Sequence, residues 1–133
     1  MKSIIQNGKY CYETKKTNCQ LHKHHIFNGP LRDWSEANGL WVYLAYDIHG
    51  SLHDSDDGEE LKNTLKRIGQ YYYEKEHNRI EFLVHTHKNY LTTPLTKEER
   101  EKYCIEPEEL DLNSLVDVEK LFGKNIKNTT WKI

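Results

Sequence analysis

The pattern of apolar and polar positions predicts two β-strands in the first third of the chain, at Gln20–Phe27 and Leu40–Tyr46. The first strand is rich in β-prone residues and ends at the turn signal Asn-Gly-Pro at 28–30. The second is a nearly continuous apolar and aromatic run, which is typical of a strand buried on both faces. We expect the two strands to form a hairpin.

A short helix is predicted on either side of the second strand. Before it, Asp33 or Ser35 can cap a helix of one or two turns, because these side chains accept hydrogen bonds from backbone N–H groups at a helix start. After it, Asp47 can cap another short helix that contains His49 and His53. The expected order is therefore strand, helix, strand, helix.

Longer helices are predicted from Glu59 onwards. Apolar residues recur there at the three- and four-residue spacing of one helix face, which predicts a helix that ends near Asn78. A second, shorter helical stretch is predicted within 79–91. Together with the hairpin, these helices give an α+β fold.

The domain organisation follows from a change of composition near residue 92. The segment 1–91 contains the predicted strands and the apolar helices, and its size suits one compact domain. The segment 92–133 is a more charged, partly helical extension, with a helix predicted at Ser114–Phe122. We expect this extension to be available for a protein partner.

Composition narrows the class of protein. No apolar run approaches the eighteen or so residues that a membrane-spanning helix needs, so a cytoplasmic protein without membrane contact is expected. Three cysteines are an odd and sparse set, which favours free thiols over a disulfide scaffold.

Charge is strongly segregated along the chain although the net charge is only −2. Residues 1–32 carry six basic groups against one acid, residues 33–60 carry eight acids and no base, and residues 61–91 carry six bases against three acids. Two basic blocks around an acidic one suit a protein that binds phosphates around a metal. Solvated faces of a lysine- and glutamate-rich protein would give the same pattern.

Histidines are concentrated in two clusters on either side of the second predicted strand. His24 and His25 lie in the first cluster, and His49 and His53 form the second. The spacing i, i+4 puts His49 and His53 on one helix face, where both can bind one metal ion, and His24 can supply a third nitrogen. Neighbours on a regular strand point to opposite faces, so His24 and His25 can serve one site only if the strand twists or bulges.

Two segments carry a resemblance to a known family: "LHKHHIFNGP" at 21–30 and "GLWVYLAYDIHG" at 39–50. Together they resemble the HNH endonuclease motif of the ββα-metal fold, and most of all the small HNH proteins encoded by bacteriophages. The later segment "LKRIGQYYYEKEHNRIEFL" at 65–83 is similar to the closing helices of those proteins. The resemblance implies a core of a two-stranded hairpin plus a helix, with further helices after it, and metal-dependent hydrolysis of DNA.

The resemblance also implies a role for each histidine of the motif. His25 matches the general base, His24 matches the adjacent metal ligand, and His49 matches the terminal metal ligand of the motif. His53 matches a further ligand that some members carry. His22 has no matching role, and we expect it, like the three later histidines, to face solvent or pack.

Three of the four positions of the family's structural zinc site are altered. Cys11 is present, but Thr14, Ala45 and Ile48 stand where the other ligands are expected. A structural zinc ion needs four thiolate or imidazole ligands, so we expect no structural zinc. The asparagine that orients the base in the family is also not matched, and Asn38 is the nearest candidate.

The expected cofactor is one divalent ion. Three imidazoles favour Zn²⁺, Ni²⁺ or Mn²⁺ over Mg²⁺, which prefers oxygen ligands; Mg²⁺ becomes credible if Asp47 or Asp54 replaces a histidine. The expected partner is DNA, contacted at its phosphates by basic side chains. The candidates for these contacts are Lys15, Lys16, Lys23, Arg32, Lys62, Lys66 and Arg67.

Two functions of different classes are consistent with the sequence. The first is an active HNH endonuclease with His25 as base. The second is a catalytically impaired descendant that keeps the scaffold as a binding protein, for example an inhibitor of a host defence system. The altered zinc positions and the unmatched asparagine favour the second function, whereas the retained histidines favour the first.

Overall fold

The structure is a computed structural model that describes residues 1–52 and 56–106. The chain divides into two compact units, Met1–Leu91 and Thr92–Ile133. The first unit is mixed α+β, as expected from the sequence, with a two-stranded antiparallel sheet followed by helices. None of the described helices is long and apolar enough to cross a membrane.

The two predicted strands are present and are shorter than expected. Strand β1 (Leu21–His25) pairs with β2 (Trp41–Ala45), and the register places His25 opposite Trp41 at one end and Leu21 opposite Ala45 at the other. A single 3-10 turn at Gly29–Leu31 and helix α1 (Arg32–Ala37) connect them.

Ser35 links the two strands instead of capping α1. Its hydroxyl is fully buried, donates to the carbonyl oxygen of Leu40 at 2.6 Å and accepts from the backbone N–H of Phe27 at 3.3 Å. The residue at the N-cap of α1 is Leu31, so the prediction of a cap at Asp33 or Ser35 is wrong. Ser35 instead satisfies backbone groups at the exit of β1 and the entry to β2, which a helix of only six residues leaves unpaired.

Helix α2 (Tyr46–Ser51) follows β2 without a loop, so it starts two residues earlier than an Asp47 cap would require, and the prediction of that cap is wrong. Ala45 is its N-cap, and Asp47 lies in its first turn. The predicted long helix is present as α3 (Asp56–Tyr73), which is separated from α2 by residues outside the described part.

An aromatic cluster forms the core beneath the hairpin. Helices α3 and α4 (Arg79–Thr86) contribute Tyr73 and Phe82, whose rings contact Phe27 and Trp34 at centroid distances between 5.3 and 6.2 Å. Burial of large aromatic rings in edge-to-face contacts is strongly stabilising. The cluster therefore fixes the end of β1 against the helices.

In the second unit the structure describes one helix, α5 (Lys97–Lys102). Thr96 and Glu99 form a capping box at its start, a signature that the sequence analysis overlooked. The helix predicted at Ser114–Phe122 lies outside the described residues.

Candidate functional site

The hairpin presents two chemically different faces. Because side chains alternate along a strand, His22 and His24 point to one face and His25 to the other, together with Lys23. Strand β1 remains paired with β2 as far as His25, opposite Trp41, so no bulge turns the two neighbouring histidines toward each other. The structure thus separates the expected base, His25, from the expected ligand, His24.

Three imidazoles meet on the first face, where β1 lies beside α2. The Nδ1 atoms of His22 and His49 are 3.3 Å apart, and the ring centroids of His24 and His49 are 5.4 Å apart. His24 is buried, and the ring of Tyr46 contacts His22 edge-on at 5.3 Å. The sequence assigns no role to His22, whereas the structure places it directly on His49.

The distance between two nitrogens of this imidazole group matches that between two ligands of one metal ion. Two nitrogens bound to one tetrahedral zinc ion at 2.0–2.1 Å are about 3.4 Å from each other, close to the His22–His49 distance. Among the described residues, no three histidine, cysteine, aspartate or glutamate groups converge as a complete metal-binding set. His53, the remaining predicted ligand, lies outside the described residues. The spacing of the His22 and His49 nitrogens would suit two ligands of one ion, and imidazole nitrogen is a donor type that fits a borderline divalent ion.

The other face holds a charged network around Glu36 of α1. Oε1 of Glu36 lies 3.1 Å from Nε2 of His25 and 3.0 Å from Nζ of Lys23. The hydrogen bond from His25, and then the bond and charge of Lys23, lower the pKa of Glu36 to about 2. The side chain of His25 is only 11% exposed in this arrangement.

The side chain that contacts the ring of His25 is Glu36, and not the asparagine that the resemblance implies. The side-chain amide of Asn38 donates to the carbonyl oxygen of Trp34 at 2.8 Å, so it closes the end of α1. The group that fixes the ring of His25 is instead a carboxylate eleven residues away in sequence. The spacing of residues in the sequence does not predict the contact of Glu36 with His25, because the contact forms only when α1 folds back beside β1.

Three of the four positions that match the family's zinc site, Cys11, Thr14 and Ala45, lie together in the structure. Cys11 is fully buried, and its thiol has hydrogen-bonded contact with the side chain of Thr14 and with the backbone of Ala45. Burial raises the pKa of this thiol, but the hydrogen bonds from Thr14, Ala45 and Glu13 outweigh burial and lower the pKa overall. A tight turn, in which the N–H of Cys11 donates to Lys16, holds the segment beside the end of β2.

The basic residues predicted to contact DNA have different surroundings. Lys16 and Arg32 are exposed, and Lys15 has its ammonium group 4.6 Å from the ring centre of Tyr12. Lys23 is paired with Glu36, as described above. The remaining three, Lys62, Lys66 and Arg67, are half-buried on α3.

Two lysines of α3 are close to an acid of the same helix. Lys62 pairs with Glu59 at 3.4 Å. Burial lowers the pKa of Lys66, and the nearby charge of Glu59 only partly offsets that effect. These contacts reduce the positive charge that α3 offers to a phosphate.

Comparison with family models, with curated proteins and with solved structures found no match to this chain. The geometry of the hairpin, the imidazole group and the Cys11 turn is therefore the basis for a functional assignment.

Proposed function

We propose that this protein is a metal-dependent DNA endonuclease of the HNH type, which hydrolyses phosphodiester bonds. The observation that carries the proposal is the imidazole group of His22, His24 and His49, formed where an antiparallel hairpin runs directly into a helix. Near-neutral bases grouped at such a junction suit phosphodiester hydrolysis, which needs both a proton acceptor and a cation.

The contacts of Cys11 support the same assignment independently. The sequence resemblance aligns Cys11, Thr14 and Ala45 with ligands of one structural zinc site. Cys11 and Ala45 are far apart in sequence and need not meet, yet the N–H of Tyr12 donates to the carbonyl oxygen of Tyr43 in β2 at 2.8 Å, and a hydrogen bond with the backbone of Ala45 helps to lower the pKa of Cys11. This is the expected result if the chain descends from a zinc-stabilised HNH protein and has replaced the ion by hydrogen bonds and packing.

In the proposed mechanism, His24, His49 and His53 would hold a divalent ion, and a bound ion would supply positive charge for the scissile phosphate and the leaving 3′ oxygen. His25 takes the proton of the attacking water. Its Nε2 faces the Glu36 carboxylate, which only accepts hydrogen bonds, so neutral His25 carries its proton on Nε2 and has its lone pair on Nδ1. Nδ1 is therefore the basic atom of His25. The products of hydrolysis would carry 5′-phosphate and 3′-hydroxyl ends, as the family resemblance implies.

DNA would approach through exposed basic groups of the first unit. Lys15, Lys16, Lys23 and Arg32 are the exposed candidates, and of these Lys15 contacts the ring of Tyr12 and Lys23 pairs with Glu36. Contacts of lysine and arginine with phosphate bind with little sequence preference and weaken with salt.

A second candidate function has a specific observation in its favour. His25 lies on the face of β1 opposite to His24, and Glu36 and the strand pairing hold it there. His25 and the ion can act on the same phosphate only if the end of β1 twists when DNA binds, whereas a strand that stays paired would suit a binding protein that keeps only the scaffold. Such a protein could act by occupying a partner, for example a component of a host defence system.

Cleavage of supercoiled plasmid separates the two candidates. We expect wild-type protein to nick or linearise the plasmid with Mn²⁺, Ni²⁺, Zn²⁺ or Mg²⁺, and His25→Ala to lose this activity. His87→Asn is a matched control, because it removes a histidine at the C-terminal end of α4, away from the imidazole group. Asparagine tolerates the positive φ of 60° at this position. Intact plasmid with every metal, or equal cleavage by His25→Ala, would rule out the catalytic proposal.

A further inference from the structure

We infer that His22 is a metal ligand and that it forms, with His49, the preformed half of a binding site for a borderline divalent cation such as Zn²⁺ or Co²⁺. The inference rests on the metal site of the proposed function and adds to it a residue to which the sequence gives no role. It also identifies Nδ1 as the ligating atom of both rings.

The separation of the two rings is the first argument. The 3.3 Å between the Nδ1 atoms equals, within about 0.1 Å, the ligand–ligand distance of a tetrahedral zinc ion. The rings are nearly perpendicular, at 84°, so they do not stack and their edges face each other. Both side chains are half-buried, which limits competition from water.

The hydrogen bonds of His22 give the second argument. Nε2 of Gln20 lies 3.3 Å from Nε2 of His22, and an amide nitrogen only donates. With the amide nitrogen of Gln20 as donor, neutral His22 accepts at Nε2, carries its proton on Nδ1 and donates it to Nδ1 of His49. A cation can take the place of this hydrogen bond, because two bonds from one ion span the same separation of the two Nδ1 atoms.

Binding of a cation at Nδ1 of His22 changes the hydrogen bond that Nε2 of the same ring makes with Gln20. The proton of His22 moves to Nε2 when Nδ1 binds the cation, and Gln20 then presents its amide oxygen as acceptor after a half-turn of its exposed side chain. A ligating histidine typically donates its second N–H to such an oxygen, which fixes the tautomer that binds metal. Gln20 can thus support His22 in both states.

Isothermal titration of the full chain with Zn²⁺ and Co²⁺ tests the inference without any DNA cleavage. His22→Phe keeps a planar ring beside Tyr46 and removes both nitrogens, while His49→Ala removes the partner ring and His87→Asn again serves as control. We expect His22→Phe to weaken binding by at least the ~10–100-fold that loss of a supporting residue costs. His87→Asn should bind as wild type does.

Nitrogen NMR of the imidazole rings provides a second measurement on the wild-type protein. We expect Zn²⁺ to remove the proton from Nδ1 of His22 and to leave Nε2 protonated. This measurement decides the question even if His22→Phe does not fold, which circular dichroism would reveal.

The outcomes separate this inference from the proposed function. If His22→Phe binds as wild type does while His49→Ala loses affinity, His22 is not a ligand but the metal site stands. If Nδ1 of His22 stays protonated with Zn²⁺ bound, the inference fails in the same way. If wild-type protein binds neither metal, the inference and the metal site of the proposed function fail together.

Discussion

His25 donates to Glu36 across 3.1 Å, on the face of β1 that His24 does not share. This pair determines how the proposed base can act. A carboxylate that receives Nε2–H orients the ring and leaves Nδ1 as the basic atom; the aspartate of a catalytic triad orients its histidine in the same way, with the roles of the two ring nitrogens exchanged. Glu36 is therefore a positioning residue for His25.

The tautomer of His25 should depend on Glu36. We expect neutral His25 in the wild type to be protonated almost entirely at Nε2, and the Glu36→Ala variant to populate both tautomers, because the acceptor is lost. Nitrogen NMR measures the ratio directly. Glu36→Asp should restore part of the preference; an unchanged tautomer in Glu36→Ala would show that the pair does not orient the ring.

Acid should weaken the fold through the same carboxyl. The pKa of Glu36 is lowered from its ordinary value of 4.5 to about 2, chiefly by the hydrogen bond from His25. A carboxyl with a lower pKa in the folded state adds stability above pH 4.5 that is lost as the pH falls toward 2. The free energy of unfolding should therefore fall more steeply over this range in wild type than in Glu36→Gln.

Urea unfolding at a series of pH values measures this difference. Glu98→Gln on α5 removes one carboxylate of the second unit and serves as the matched control. Parallel curves for wild type and Glu36→Gln between pH 4.5 and pH 2 would contradict the assignment of Glu36.

Local sequence patterns predicted the elements of the fold better than the contacts of the site. The apolar run at 40–46 predicted a buried strand, and β2 forms there. The helical spacing of apolar residues after Glu59 predicted α3. The contact of His22 with His49 could be seen only from the register of the hairpin and the start of α2, and the contact of Glu36 with His25 only from the path of α1. Such contacts depend on tertiary packing, which spacing along one chain does not encode.

The Cys11 turn predicts that a zinc site can be rebuilt. Thr14→Cys, Ala45→Cys and Ile48→Cys together would add three thiols to Cys11, two of them at positions already in contact with it. We expect the triple variant to bind one Zn²⁺ per chain and to be stabilised by it, by ~4 kcal/mol when free zinc is about a thousand times the dissociation constant.

Thermal unfolding with and without Zn²⁺, and with a chelator, would measure that gain. The same variant with Cys11→Ser has three thiols and should gain much less. Equal stabilisation of both proteins would show that Cys11 does not belong to the site.

The surroundings of the basic residues predict unequal contributions to DNA binding. Each lysine or arginine that neutralises a phosphate contributes about 0.9 to the slope of log affinity against log salt. Lys16→Ala and Arg32→Ala should each reduce the slope by about that amount, because both side chains are exposed. Lys23→Ala should reduce it less, since Glu36 already balances the charge of Lys23 at 3.0 Å.

Fluorescence anisotropy with a short labelled duplex at several salt concentrations measures these slopes, in EDTA so that cleavage does not interfere. Lys97→Ala, an exposed lysine of α5, is the control for the loss of one surface charge. If Lys23→Ala reduces the slope as much as Lys16→Ala does, DNA must displace Lys23 from Glu36. That result would release one of the three groups that now bind the carboxylate, and Glu36 would keep His25 and the N-terminal amine of Met1 as partners.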